Sequence, residues 1–110
     1  MSPRRGDVWQ ADFGLAGKVR PIVIISRVDP DPPRKLAIYV PVTLQNRGSK
    51  YEVVLPRLAF LTDGSTANAQ GIASDIADDS SFFLRKLGEL PDSTMKEIDQ
   101  AVLFAIGVSD

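Results

Sequence analysis

Residues 21–26 read Pro-Ile-Val-Ile-Ile-Ser, a β-branched and nearly continuous apolar run. Such a run fits a strand buried on both faces and constrains the fold more than any other stretch of the chain. Directly before it stands Arg20, a permanently charged side chain at the mouth of a strand that otherwise enters the core. The placement needs a reason, because a guanidinium keeps its charge under all ordinary conditions.

The neighbouring segments continue in the strand period. Residues 7–13, DVWQADF, alternate Val8, Gln10 and Asp12 with Trp9, Ala11 and Phe13, which predicts a strand with its aromatic face inward. LAIYVPVT and YEVVL read as two further strands, and Gly48 in the polar stretch between them predicts a hairpin loop. Pro41 lacks an N–H, so its strand must have an edge or a bulge there. TANAQGIAS carries a weaker strand pattern, and DPDPPRK, with three prolines, reads as a loop.

The period changes once, near the C-terminus. Met95, Ile98, Val102, Ala105 and Ile106 recur at helical spacing, with Asp92 and Ser93 as N-cap candidates and Gly107 as a stop. Leu103 and Phe104 lie off this stripe, either on a broad core face or at a subunit contact. The simplest architecture is mainly β: a small barrel of about five to seven strands closed by one C-terminal helix. At 110 residues, without repeats or an interdomain linker, residues 1–110 are expected to form one domain.

Composition limits the chemistry. The chain has no cysteine and no histidine, which removes disulfides, thiolate metal sites and the commonest general base. Asp78 and Asp79 are adjacent, but neighbours in a strand point apart and in a helix are not co-facial, so they read as a solvated loop. No metal ligands and no cofactor are therefore expected. The N-terminal residues lack the apolar run of a signal peptide, and no apolar run approaches membrane-spanning length; a cytoplasmic protein without membrane contact is expected. The net charge of -1 conceals a division: residues 1–57 carry ten Lys/Arg against five acids, residues 58–110 three against nine. Such a division can build a basic face for an anionic partner, although linear halves need not be spatial halves. Arg20 and Thr43 both sit at strand ends, where they could converge on a rim; a fixed fork of donors and a hydroxyl suit a phosphate. A surface ion pair and an ordinary strand-end residue are the plainer readings of the two.

RGDVWQADF, RPIVIIS, VPVT, LTDGSTANAQ and LRKLGELPDSTMKEIDQAVLFAIGV follow one another in an order that resembles the MazF/PemK toxin family, from Arg5 to Val108. The resemblance implies an SH3-like barrel with a C-terminal helix. It also implies the toxin of a type II toxin–antitoxin pair: a sequence-specific endoribonuclease that cleaves single-stranded RNA and inhibits translation and growth. The family's catalytic arginine and threonine fall on Arg20 and Thr43, and its RNA-holding glutamine on Gln70; Lys18, Gln45 and Arg47 are further RNA-binding candidates. The implied reaction is attack of the 2′-hydroxyl on the adjacent phosphate, giving a 2′,3′-cyclic phosphate and a 5′-hydroxyl without a metal. No general base stands out in the sequence: Asp12 could serve, or could equally be a surface partner for Arg20 or Lys18. The implied partners are a second copy of the chain, in a symmetric homodimer, and an antitoxin with an acidic, disordered tail. The chain departs from the family in a short first loop, GLAGK, and in Ile72 where a basic residue is common. CcdB-like toxins use the same barrel without cutting RNA, so a non-catalytic binding module is the alternative; a peptide-binding module has only Trp9, Tyr39 and Tyr51 for an aromatic groove.

Overall fold

A computed structural model describes residues 2–15 and 17–110. Seven strands precede one helix: β1 (Asp7–Asp12), β2 (Val19–Ile24), β3 (Leu36–Thr43), β4 (Glu52–Val54), β5 (Thr66–Asn68), β6 (Ala73–Ile76), β7 (Phe83–Glu89) and α1 (Asp92–Ala105). All pairings are antiparallel, and the ladder runs β4-β5-β3-β2-β1-β7 with β6 also on β3. The bent sheet is barrel-like, but its hydrogen-bonded ladder ends at β4 and β7 instead of closing.

Ile22, Val23 and Ile24 are all fully buried, as the continuous apolar run predicts. Two apolar clusters lie on opposite faces of β1, β2 and β3. Val8, Val23 and Val40 face α1 through Met95 and Ile98, while Trp9, Ile22, Ile24 and Tyr39 pack on Phe82 and Phe83. The aromatic face of β1 points inward as predicted, through Trp9 and Ala11; Val8 is buried as well, because the second cluster covers the other face.

Asp7 is buried too, and its carboxylate accepts from the Arg4 N–H at 2.8 Å and from Trp9 Nε1 at 3.1 Å. Lys86 Nζ stands 3.3 Å from it and 2.7 Å from Glu89. The Glu89 hydrogen bond raises the Lys86 ammonium above its ordinary pKa; burial opposes it, and Asp7 adds to the rise. The Gly-Asp-Val-Trp segment thus ties β1 to β7.

The polar stretch before β4 is not a hairpin loop. β5 inserts between β3 and β4, pairing Val42 with Ala67 and Val53 with Ala67 on its two edges. TANAQGIAS makes two strands separated by a 3-10 turn, Ala69–Gly71. Pro41 falls where the outer edge of β3 changes partner, between β6 on Leu36–Tyr39 and β5 on Val42–Thr43, so its missing N–H costs no ladder bond there.

The helix differs from expectation at its start, and Gly107 ends it as predicted. Pro91, in extended conformation, is the N-cap and no side chain caps the turn; Asp92 lies inside the first turn, where its charge favours the helix N-terminus. Ile106 is exposed because the helix has already ended. Gly107, at φ 81°, reverses the chain as its N–H bonds the Phe104 carbonyl and the Val108 N–H bonds the Leu103 carbonyl. Phe104 packs edge-on against Tyr51, 5.0 Å between ring centres, and Lys50 Nζ lies 5.6 Å from the centre of the Phe104 ring. Among the described residues no helix is long and apolar enough to cross a membrane.

Candidate active site

β2 and β3 pair Ile24 with Tyr39, Val23 with Val40 and Ile22 with Pro41. Carried two residues beyond its last pair, this register sets Arg20 opposite Thr43 at the open end of the ladder. Both line a cleft of about 740 Å³. Gln10, Gln45 and Arg85 line it as well, together with Phe60, Leu61 and Thr62 from the loop between β4 and β5. Among the described residues its lining carries two guanidinium groups and no carboxylate. The cleft therefore favours anions, and one of its cations comes from the acidic half of the chain.

Its polar groups differ in how far they are committed. Arg20 is exposed and makes no side-chain hydrogen bond or ion pair with the described residues. Its position is fixed by Val19 and Arg20 pairing with β1 and by the buried strand that follows. Thr43 Oγ1 donates to the Gln45 carbonyl at 3.0 Å and accepts from the Gln45 N–H at 3.2 Å, a small ring that fixes the exit from β3. Arg47 donates to Gln45 Oε1 at 2.9 Å. The Glu52 carboxylate accepts from the Ser49 hydroxyl at 2.6 Å, from the Ser49 N–H at 3.0 Å and from the Arg47 N–H. The Ser49 hydroxyl, followed by the Arg47 and Ser49 backbone donors, holds Glu52 below the ordinary carboxylate pKa.

The structure brings Arg20, Thr43 and Gln45 to one cleft, with Arg47 bonded to Gln45 at its edge. It leaves Lys18 and Gln70 outside the lining. Lys18 sits in the tight β1–β2 turn at φ 61°, and Gln70 is exposed on the 3-10 turn, its N–H bonded to Asn68 Oδ1. GLAGK lies in that β1–β2 turn, with Ala16 outside the described residues. Asp12 accepts from the Gly14 N–H at 2.8 Å and so serves the turn; it does not line the cleft. Asp79 bonds the Ser81 hydroxyl and N–H, which lower its pKa, as expected of a solvated loop. Among the described residues no three His, Cys, Asp or Glu side chains gather as metal ligands.

Sequence reasoning missed Arg85 and Gln10. Gln10 was legible as a residue on the face of β1 away from the aromatics. Arg85 was hidden because Phe83–Glu89 shows no clean alternation and carries Gly88. A Cβ on Gly88 would lie 2.4 Å from the Phe60 ring, so the bare glycine lets that ring rest on β7 and build the wall of the cleft.

Residues 4–106 match the family described as PemK-like, MazF-like toxin of type II toxin-antitoxin system. The chain is 32% identical over 108 residues to the probable endoribonuclease MazF5 of Mycobacterium tuberculosis (strain ATCC 25618 / H37Rv), covering 97% of this chain and 95% of that protein. Among solved structures it resembles an endoribonuclease bound to its cognate antitoxin from Mycobacterial species, with TM-score 0.81, 25% identity and 99% of both chains covered. A MazE–MazF complex from Deinococcus radiodurans shares the fold at TM-score 0.79, with 22% identity and 99% of both chains covered.

Proposed function

This chain belongs to the PemK-like, MazF-like toxins of type II toxin–antitoxin systems, and on that basis we propose that it is an endoribonuclease whose active centre is the Arg20–Thr43 cleft. The observation that carries the reading is the meeting of an uncommitted guanidinium and a strand-end hydroxyl in a cleft that has no carboxylate among its described residues. A group that develops negative charge on phosphate oxygens is what such a site stabilises best.

The substrate is single-stranded RNA and the nucleophile is its own 2′-hydroxyl. The 2′-oxygen bonds to the adjacent phosphorus and the bond from phosphorus to the 5′-oxygen breaks. One proton leaves the 2′-oxygen and one reaches the departing 5′-oxygen, so the products end in a 2′,3′-cyclic phosphate and a 5′-hydroxyl. Arg20 stabilises the charge that grows on the non-bridging oxygens, and its planar fork can hold two of them. Thr43 turns its hydroxyl from the Gln45 carbonyl to a phosphate oxygen. Because Thr43 and Gln45 share a ring, substrate binding and the course of residues 44–47 are linked. No step in this scheme needs a metal ion. Gln45, Arg47, Lys18 and Gln70 are proposed as RNA contacts along the same rim.

A cationic cleft of this kind also suits an acidic, disordered antitoxin tail, which would occupy the place of the RNA backbone. A symmetric homodimer would set two such rims around one groove. The test is incubation of the purified chain with labelled single-stranded RNA in excess chelator, with identification of the product ends. Cyclic phosphate and 5′-hydroxyl ends are expected; intact RNA would mark a binding module instead of a nuclease.

A further inference from the structure

Resting on the nuclease reading, we propose that Gln10 and Arg85 form a base-reading pair that selects guanine beside the scissile phosphate. Gln10 and Arg85 are direct partners in the β1–β7 ladder, so their side chains leave the same face of the sheet. Both line the cleft that holds Arg20 and Thr43. Neither makes a side-chain hydrogen bond or an ion pair with the described residues. Two polar side chains set side by side in a cleft, with their donors and acceptors unspent, are available to a ligand.

The geometry gives Arg85 a different task from Arg20. Arg20 pairs with Ala11 and Arg85 with Gln10, so the two arginines reach the cleft from adjacent positions along β1. They also stand on the two strands that flank β1, roughly 10 Å apart at the backbone. If Arg20 meets the reacting phosphate, Arg85 addresses what lies beside it. Phe60 and Leu61 in the same lining are apolar and suit the flat face of a base. Guanine is the base whose edge matches both side chains. Its O6 and N7 accept the two donors of an arginine fork, and its N1–H and exocyclic amine need an acceptor, which the Gln10 amide oxygen supplies. Bases of single-stranded RNA are unstacked enough to be read on both edges. Uracil and cytosine lack the paired O6 and N7 acceptors, and adenine presents an amine to the arginine.

The test uses short single-stranded RNAs that carry guanine, or 7-deazaguanine, at each position around the cut. The wild-type chain and Arg85→Met are compared for binding and for cleavage; Arg85 is exposed at the edge strand, so the variant should fold. At one position, replacing N7 should weaken the wild-type chain about tenfold or more, as expected for loss of a bidentate contact. Arg85→Met should not distinguish the two bases there, and Arg85→Lys should not restore the distinction. Gln10→Leu should relax the choice between guanine and adenine at the same position. Equal discrimination by wild type and Arg85→Met overturns the proposal. So does a uniform loss over all RNAs, which would make Arg85 a phosphate contact. Base discrimination in binding without any cleavage would support the pair and sink the nuclease reading, so the two failures are distinct.

Discussion

Arg20 and Thr43 line one cleft, and the β2–β3 register, carried two residues past its last pair at Ile22–Pro41, sets them opposite each other. Both lie at the mouth of the same cleft, and each is held by a different device. Arg20 is anchored by the strand that follows it, whose Ile22, Val23 and Ile24 are fully buried. Thr43 is anchored by its ring with Gln45. The buried strand thus fixes the backbone from which the exposed Arg20 side chain projects. A fixed point of attachment at the cleft favours charge stabilisation, whose benefit grows as the donors need less rearrangement.

Arg20→Ala should lower the cleavage rate by about 10² to 10³, the usual cost of removing one preorganised oxyanion donor. Arg20→Lys should be nearly as poor, because lysine keeps the charge and loses the fork. Thr43→Val should lose less. Thermal unfolding should change little in either Arg20 variant, since the side chain is exposed. Single-turnover cleavage kinetics together with a melting curve checks both halves of this expectation.

What the sequence made legible here, and what it did not, follows from the length of each pattern. The run at 21–26 and the stripe Met95–Ile98–Val102 are long enough to show their period, and both form the elements they predict. β5 is three residues long, too short for alternation to appear, so its insertion between β3 and β4 was invisible and the stretch around Gly48 looked like a hairpin. The convergence of Arg20 with Thr43 could be guessed from strand ends. Arg85 could not, because its strand was unread and its neighbour in space, Gln10, is 75 residues away in the chain. Asp12 looked like a catalytic base or an ion-pair partner because a carboxylate near Arg20 invites that reading; the adjacent turn uses it as a cap instead.

Gly88→Ala should damage the cleft without touching any of its polar groups. The added methyl would fall within 2.4 Å of the Phe60 ring, so the ring and its loop must move off β7. Overpacking of this kind typically costs about 1–3 kcal/mol. Chemical denaturation should show that loss, and the combined variant Gly88→Ala with Phe60→Leu should recover part of it. Unchanged stability in Gly88→Ala would mean that the ring does not rest there.

Glu52 should make the segment from Gln45 to Glu52 sensitive to acid. Its carboxylate is held below the ordinary value of 4.5, first by the Ser49 hydroxyl and then by the Arg47 and Ser49 backbone donors. A depressed pKa contributes stability that is present above the unfolded value and lost as pH falls through the folded one. The full contribution of Glu52 should therefore be present above about 4.5 and be lost as the pH falls further, through the lower value of the folded chain. Amide exchange at Arg47 and Ser49, followed through an acid titration, should report the opening. Glu52→Gln should weaken protection at pH 7 and remove the transition.

The most direct test of the central claim is cleavage of an RNA that carries one 2′-deoxynucleotide immediately 5′ to the scissile phosphate, measured in excess EDTA beside the all-ribose strand. The missing hydroxyl is the nucleophile in the account given above, and nothing else in the strand is altered. Full cleavage of the all-ribose RNA, with none at the substituted linkage, is the predicted result. Cleavage at the deoxy position, or loss of all activity on chelation, would contradict an Arg20–Thr43 centre that works on the substrate's own hydroxyl.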